Sequence, residues 1–214
     1  MSLMNLTVQE LLAELGADSP APGGGSVAAL AGAMAASLCE MVAGLTLGRE
    51  KLRDAWPAME RARSEAWRLG TSLRRLVDDD TAAYLAVVAA RKLPRATPAE
   101  KAAQDSAVQE AVGRAAAVPL ETLLTLAELS AIALVVAEKG SSGCITDAGS
   151  AGEMIGAGAR AAAWNVRINL PDVRDELLRA RLSAAAETAL AAALAAVERV
   201  RSLVESQLVQ GSHS

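Results

Sequence analysis

The sequence predicts an all-α protein: an elongated antiparallel helical bundle that pairs with a second copy as a homodimer. Three observations carry this. Hydrophobic residues fill 52% of the 214 positions, but aromatics only 2%, and phenylalanine is absent. Such an alanine-dominated interior suits helices packed through small side chains better than a sheet of β-branched and aromatic residues. Apolar residues recur at helical spacing over long stretches, and no run alternates as a strand does. The last stretch, from Asp172 to about Val204, is roughly 50 Å long as a helix. That is more than a globule with a radius of gyration of about 17 Å needs, hence the elongated shape and the second subunit.

Each element has its own local justification. Val8 to Leu15 reads as a short amphipathic helix opened by Thr7 and stopped by Gly16. In Pro20-Ala21-Pro22-Gly23-Gly24-Gly25-Ser26 the prolines and glycines make a turn no regular element absorbs. Ser26 then stands where an N-cap is expected, ahead of an alanine-rich helix to about Leu47 that Gly48 ends. Ala28, Gly32 and Ala36 lie four residues apart in it and suit close helix contact. Although apolar, this stretch holds Glu40, and alanine drives membrane insertion poorly, so it reads as a buried central helix. Arg49, Glu50, Lys51 and Arg53 form a charged exit.

Pro57 fits the first turn of a helix whose apolar positions run from Met59 through Leu76 to Val88 and which stops before Leu93-Pro94. Thr97-Pro98-Ala99-Glu100 is a capping box that opens a helix to about Ala117. Pro119 is expected to interrupt it, with Leu120 to Glu138 resuming. After the loop Lys139–Ile145, Thr146 or Asp147 is expected to cap a helix to about Leu170, and Asp172 or its neighbours to start the last one. Residues 1–208 read as a single domain and 209–214 as a tail.

Composition narrows the function. A net charge of −4 and a pI near 5.2 leave no electrostatic footprint for nucleic acid. Cys39 and Cys144 read as free thiols of a reducing compartment. With no secretory signal at the N-terminus, the expected location is cytoplasmic, with no membrane partner. The only histidine, His213, lies in the tail, so a Ser-His-Asp triad and a histidine-bearing metal site in the core are both excluded, and no metal is expected. Proton transfer falls to carboxylates, a lysine or a tyrosine.

The candidates follow. Gly23, Gly24, Gly25 and Ser26 lead into a helix N-terminus whose unpaired N–H groups can face an electron-rich group, although a plain turn has the same composition. Asp80 and Tyr84 are one helical turn apart. If that face is turned inward, burial or the neighbouring Asp78 and Asp79 raises a carboxylate's pKa; if outward, the three form a solvated acidic cluster. Asp147 is either a helix cap or a carboxylate held beside backbone donors. Asn165 and Asn169 share one face, as a structural network or a ligand site, and Arg167 points roughly 160–200° away. Arg49 and Lys51 read as a solvated helix end or as anion partners.

Together these stretches resemble the cyclodeaminase/cyclohydrolase family. It comprises the C-terminal domain of formiminotransferase–cyclodeaminase and the stand-alone bacterial methenyltetrahydrofolate cyclohydrolases. The resemblance spans about residues 7 to 205. It rests on Pro22-Gly23-Gly24-Gly25-Ser26 with Leu45-Thr46-Leu47-Gly48, on Asp78-x-Asp80-x-x-Ala83-Tyr84 with Leu93-Pro94, and on Val118-Pro119-Leu120. Thr146-Asp147-Ala148-Gly149 and Asn165-Val166-Arg167-Ile168-Asn169-Leu170 complete it. The chain departs from the pattern at Glu50, Leu52 and Ser141–Cys144.

What the resemblance implies is an all-α homodimer acting on the one-carbon bridge of a tetrahydrofolate derivative, with no metal and no cofactor beyond that substrate. Asp147 or Asp80 would be the general acid/base, and Tyr84, Asn165 and Asn169 would orient water and folate. The Gly23–Ser26 loop would lie against the ligand, and Arg49, Lys51 and Arg167 would meet the folate glutamate carboxylates. Hydrolysis of 5,10-methenyltetrahydrofolate is the expected reaction. Ammonia release from 5-formiminotetrahydrofolate is the alternative, and a non-catalytic folate-binding or dimerising module a third reading.

Overall fold

The computed structural model describes residues 2–211, with side chains to residue 209, so His213 lies outside the described residues. The described residues form six α-helices: α1 (Val8–Leu15), α2 (Gly24–Leu47), α3 (Trp56–Arg91), α4 (Pro98–Lys139), α5 (Ile145–Asn169) and α6 (Glu176–Gly211). Short 3₁₀ turns precede α1, lead into α3 and flank α5, and no strand occurs among the described residues. The helices α2, α3, α4 and α5 pack antiparallel to their neighbours as a four-helix bundle, and α6 lies in the groove between α4 and α5. Met59, Leu73, Leu76, Leu123, Leu126, Leu129 and Ile155 form the fully buried centre.

Small residues set the spacing of the helices, as the composition suggests. A side chain on Gly32 would start 2.6 Å from Leu126 and 3.0 Å from Leu73, and one on Gly70 2.9 Å from Ala36. The backbone carbonyl of Ala28 lies against Gly158 of α5. On the opposite side of α5, Gly149, Gly152 and Gly156 receive Val204, Val200 and Val197 of α6. By length and composition α2, α4 and α6 could each cross a membrane; here they pack on other helices of the chain.

Local signals place several boundaries correctly. Thr7 and Thr97 both form complete capping boxes, α1 ends at Gly16, and α3 begins at Trp56-Pro57 and ends before Leu93-Pro94. Four expectations need correction. Gly23, not Ser26, caps α2, and Ser26 sits inside the first turn with its side chain buried. Cys144 occupies the N-cap of α5, so neither Thr146 nor Asp147 does; Asp147 lies in the first turn, where a carboxylate suits the helix dipole. The last helix starts at Glu176, where the Asp175 carboxylate accepts from the N–H of Leu178, and it continues past Val204 to Gly211. Finally, Pro119 does not interrupt α4, which runs unbroken from Pro98 to Lys139. Proline in mid-helix removes the N–H that would reach the carbonyl four residues back, here that of Ala115. The side-chain amide of Asn169 in α5 supplies the missing donor, 2.9 Å from that oxygen.

Candidate active site

Three adjacent aspartates of α3 have three different jobs. Asp78 accepts from the Ser2 hydroxyl and the Leu3 N–H, both at 2.6 Å, and holds down the N-terminal segment. Asp79 pairs with Arg75 one turn back on an exposed surface. Asp80 turns inward. Its carboxylate lies against the first turn of α2, where a Cβ on Gly25 would come within 2.1 Å of Oδ1. Only glycine leaves that space.

Asp80 does from another helix what an N-cap side chain normally does. Gly23 has no side chain to offer the free N–H groups of the first turn of α2. The Ser26 hydroxyl donates to Asp80 Oδ2 at 3.1 Å, and the Ser26 backbone also hydrogen-bonds the carboxylate. Ser26 Oγ is 3.2 Å from Thr81 Oγ1. Since Ser26 has one hydroxyl hydrogen and gives it to Asp80, Thr81 donates the second bond. Burial raises the Asp80 pKa above the ordinary carboxylate range, and the two bonds from Ser26 oppose that rise without cancelling it. Thr81 went unremarked in the sequence; its one signal was a hydroxyl next to a candidate carboxylate.

The remaining residues divide between the two ends of the bundle. At the Asp80 end, Asn165 of α5 reaches Gly24, where an added Cβ would lie 3.3 Å from its Nδ2, and that nitrogen also donates to the carbonyl of Ala161. Asn169 gives both its bonds to backbone, to Ala115 and to the carbonyl of Asn165, so its amide nitrogen is engaged in structure. Tyr84 stands one turn beyond Asp80 and is 39% exposed, so of the pair only the aspartate is turned in. Gly23 has room for a side chain, with its nearest neighbour at 3.8 Å. Leu3, Leu11 and Leu15 lie over Pro22, Ser26 and Val27 in an apolar crevice too narrow for water. Arg167 lies on the exposed side of α5, beside Leu170, Glu176 and Arg179, away from Asn165 and Asn169.

Asp147 shares its side of α5 with Asn165, but eighteen residues earlier, which at five helical turns is about 27 Å. It belongs to the opposite end. There Arg49 and Lys51 are exposed, and the Arg49 guanidinium stands 3.7 Å from where a side chain on Gly143 would begin. The Ser141 N–H donates to Thr46 Oγ1 at 2.9 Å, tying the turn before α5 to the end of α2. Within one chain, therefore, Asp80, Gly24, Gly25, Ser26 and Asn165 come together, and Asp147, Arg49 and Lys51 do not join them. Both cysteines are free and buried, and burial pushes the Cys39 thiol up to about 12. Among the described residues no three His, Cys, Asp or Glu side chains stand together as a metal would require.

Residues 7–188 match the family described as formiminotransferase-cyclodeaminase. The chain belongs to that family. It is 36% identical over 204 residues to the methenyltetrahydrofolate cyclohydrolase of Methylorubrum extorquens, covering 95% of this chain and 98% of the relative. It is 35% identical over 178 residues to the formimidoyltransferase-cyclodeaminase of Rattus norvegicus, where the match covers 83% of this chain and 33% of the longer rat protein. The crystal structure of formiminotetrahydrofolate cyclodeaminase from Thermotoga maritima superposes with a TM-score of 0.86 at 28% identity, covering 95% of this chain and 98% of that one. The named relatives of this cyclodeaminase-family chain are thus enzymes, and the resemblance seen in its motifs holds.

Proposed function

We propose that the protein hydrolyses 5,10-methenyltetrahydrofolate to 10-formyltetrahydrofolate, with Asp80 as the general acid/base. The observation that carries this is the half-buried Asp80 carboxylate, held by Ser26 in the space that Gly25 leaves open. A carboxylate whose pKa burial raises is a stronger base than an ordinary one, and can take a proton from water and return it. Water attacks the amidinium carbon between N5 and N10 while Asp80 receives one of its protons. The tetrahedral carbon then loses N5, which takes that proton from Asp80; the second water proton leaves to solvent, and the formyl group stays on N10. The carbon is already cationic, so the reaction needs no cofactor beyond the folate. Asn165, beside Gly24, and Tyr84, one turn beyond Asp80 and partly exposed, orient water and substrate. Arg49 and Lys51, at the other end of the bundle, supply positive charge for the glutamate tail. The protein works in the cytoplasm, away from membrane, as a homodimer.

The full-length match to the Methylorubrum cyclohydrolase supports this reaction. The equally complete structural match to the Thermotoga cyclodeaminase supports a second: N10 attacks a 5-formimino carbon and ammonia leaves through a similar tetrahedral centre. Following methenyltetrahydrofolate absorbance with and without protein tests the first. Loss no faster than the spontaneous rate refutes it, and ammonia from 5-formiminotetrahydrofolate establishes the second. The Asp80→Asn variant is expected to lower kcat at least about 100-fold, in the range of a lost general acid/base.

A further inference from the structure

Thr81 follows Asp80 on α3, and its hydroxyl departs from the habit of the other helical threonines. Among the described residues, Thr46, Thr71, Thr122, Thr125 and Thr188 lie inside helices, and each donates its hydroxyl to the carbonyl four residues back. That is the ordinary use of a hydroxyl in a helix interior. Thr81 makes no such bond to Val77; its Oγ1 lies 3.2 Å from Ser26 Oγ on α2 instead.

Two neighbouring residues of α3 therefore hold one oxygen of α2. Side chains at successive helix positions diverge by 100°. Asp80 and Thr81 still meet at Ser26, because Gly25 lets the first turn of α2 lie against the carboxylate and brings Ser26, only 2% exposed, within reach of both. The Ser26 hydroxyl has one hydrogen and two acceptors in range. With Thr81 as acceptor, that hydrogen leaves Asp80; with Thr81 as donor, it stays on the carboxylate. A Thr81 hydrogen not committed to Val77 decides the direction, and a hydroxyl that receives a hydrogen bond is itself a stronger donor.

We propose that Thr81 is a positioning residue for Asp80, donating to Ser26 so that the Ser26 hydrogen stays on the carboxylate. Its effect on turnover rests on the reading of Asp80 as the general acid/base. No neighbouring charge does the same job. Asp78 is held by Ser2 and Leu3, while Arg75 is taken up by Asp79 and by Glu121 of α4. Tyr84 is uncharged and partly exposed, the first turn of α2 has no ionisable side chain, α5 presents the neutral amide of Asn165, and α1 lays Leu11 and Leu15 over Ser26. Burial and the bonds from Ser26 are what move the Asp80 pKa. A residue that governs Ser26 therefore governs when Asp80 accepts a proton.

Selective ¹³C labelling of aspartate gives the Asp80 titration midpoint by NMR, its signal being the one absent from Asp80→Asn. Thr81→Val keeps the shape and removes the hydroxyl. The Ser26 bond favours the ionised carboxylate, so weakening it is expected to raise the midpoint, by about 0.5 pH unit. Thr81→Ser, which keeps a hydroxyl, is expected to restore the wild-type midpoint. In a Ser26→Ala background Thr81→Val is expected to add nothing, because Thr81 acts through Ser26. An unmoved midpoint in Thr81→Val overturns the proposal. So does an equal rise in the Ser26→Ala background, which would mean that valine only buries the carboxylate further, and so does a serine variant that titrates like the valine one. Thr81→Ala gives the same comparison if valine disturbs the helix. The acid limb of kcat/KM is expected to rise with the midpoint. A wild-type protein without turnover, or a limb that stays while the midpoint rises, refutes the general acid/base reading of Asp80 instead, and the NMR titration still decides the role of Thr81.

Discussion

At the scale of single residues, the informative contact is between a glycine and a carboxylate. Gly25→Ala is expected to cost about 100-fold in kcat with Tm changed by less than about 3 °C. The added methyl displaces the Asp80 carboxylate, while alanine in a helix turn is itself favourable. Circular dichroism and the absorbance assay together check both halves. Ser26→Ala removes a hydrogen bond that holds the Asp80 pKa down, so the acid limb of kcat/KM should move to higher pH. An unmoved limb excludes Asp80 as the titrating base. The same carboxylate has a stability signature. Its folded pKa lies above the unfolded value, so its favourable contribution is complete below the ordinary carboxylate pKa and is lost as pH rises through the folded one. Asp80→Asn should therefore raise Tm near neutral pH, by about 1–3 °C, and the gain should vanish in acid. Three consecutive aspartates were visible in the sequence as a group. Which of them faced inward was not, because that depends on where α2 crosses α3.

At the scale of elements, α4 shows how a local rule is overridden. Pro119 reads as a break, and it does remove the hydrogen bond to Ala115. The helix persists because Asn169, fifty-four residues later, donates to that carbonyl. Asn169→Ala leaves a part-buried acceptor unpaired and should cost about 1 kcal/mol in chemical denaturation, with KM for folate unchanged. A stability equal to wild type would show that water serves the carbonyl as well. The capping box at Thr97 was legible because cap, proline and acidic partner lie within four residues, and the start of α1 because Thr7 stands directly before its first helical residue. The start of α2 was misread for the converse reason: the acceptor for its free N–H groups sits on α3.

For the whole molecule, the decisive feature is an apolar seam left open along the outer side of α2, where Val27, Met34, Met41 and Leu45 are 40% to 49% exposed. Met34→Lys places a charge in the middle of that seam, where it would be desolvated in a pair of copies. It should halve the mass seen by sedimentation, with the helical circular dichroism signal retained. A variant of unchanged mass would locate the contact elsewhere. Surface ion pairs such as Arg68–Glu128 and Arg199–Glu138 join neighbouring helices but are solvated and contribute little. Cohesion comes from the small-residue contacts, among them the three glycines of α5 that admit three valines of α6.

The amino-acid sequence alone settled the helical class, the starts of α1, α3 and α4, the lack of a core histidine and the family motifs, since each depends on composition or on residues within a few positions of one another. Only the tertiary structure decided that Asp80 is the inward carboxylate, that Gly25 exists to admit it, that Asn169 is committed to the Pro119 gap, and that Asp147 stands five turns from Asn165. Those facts depend on contacts between helices far apart in the chain. Helical periodicity says which side of a helix a residue occupies, but not which neighbour that side will meet.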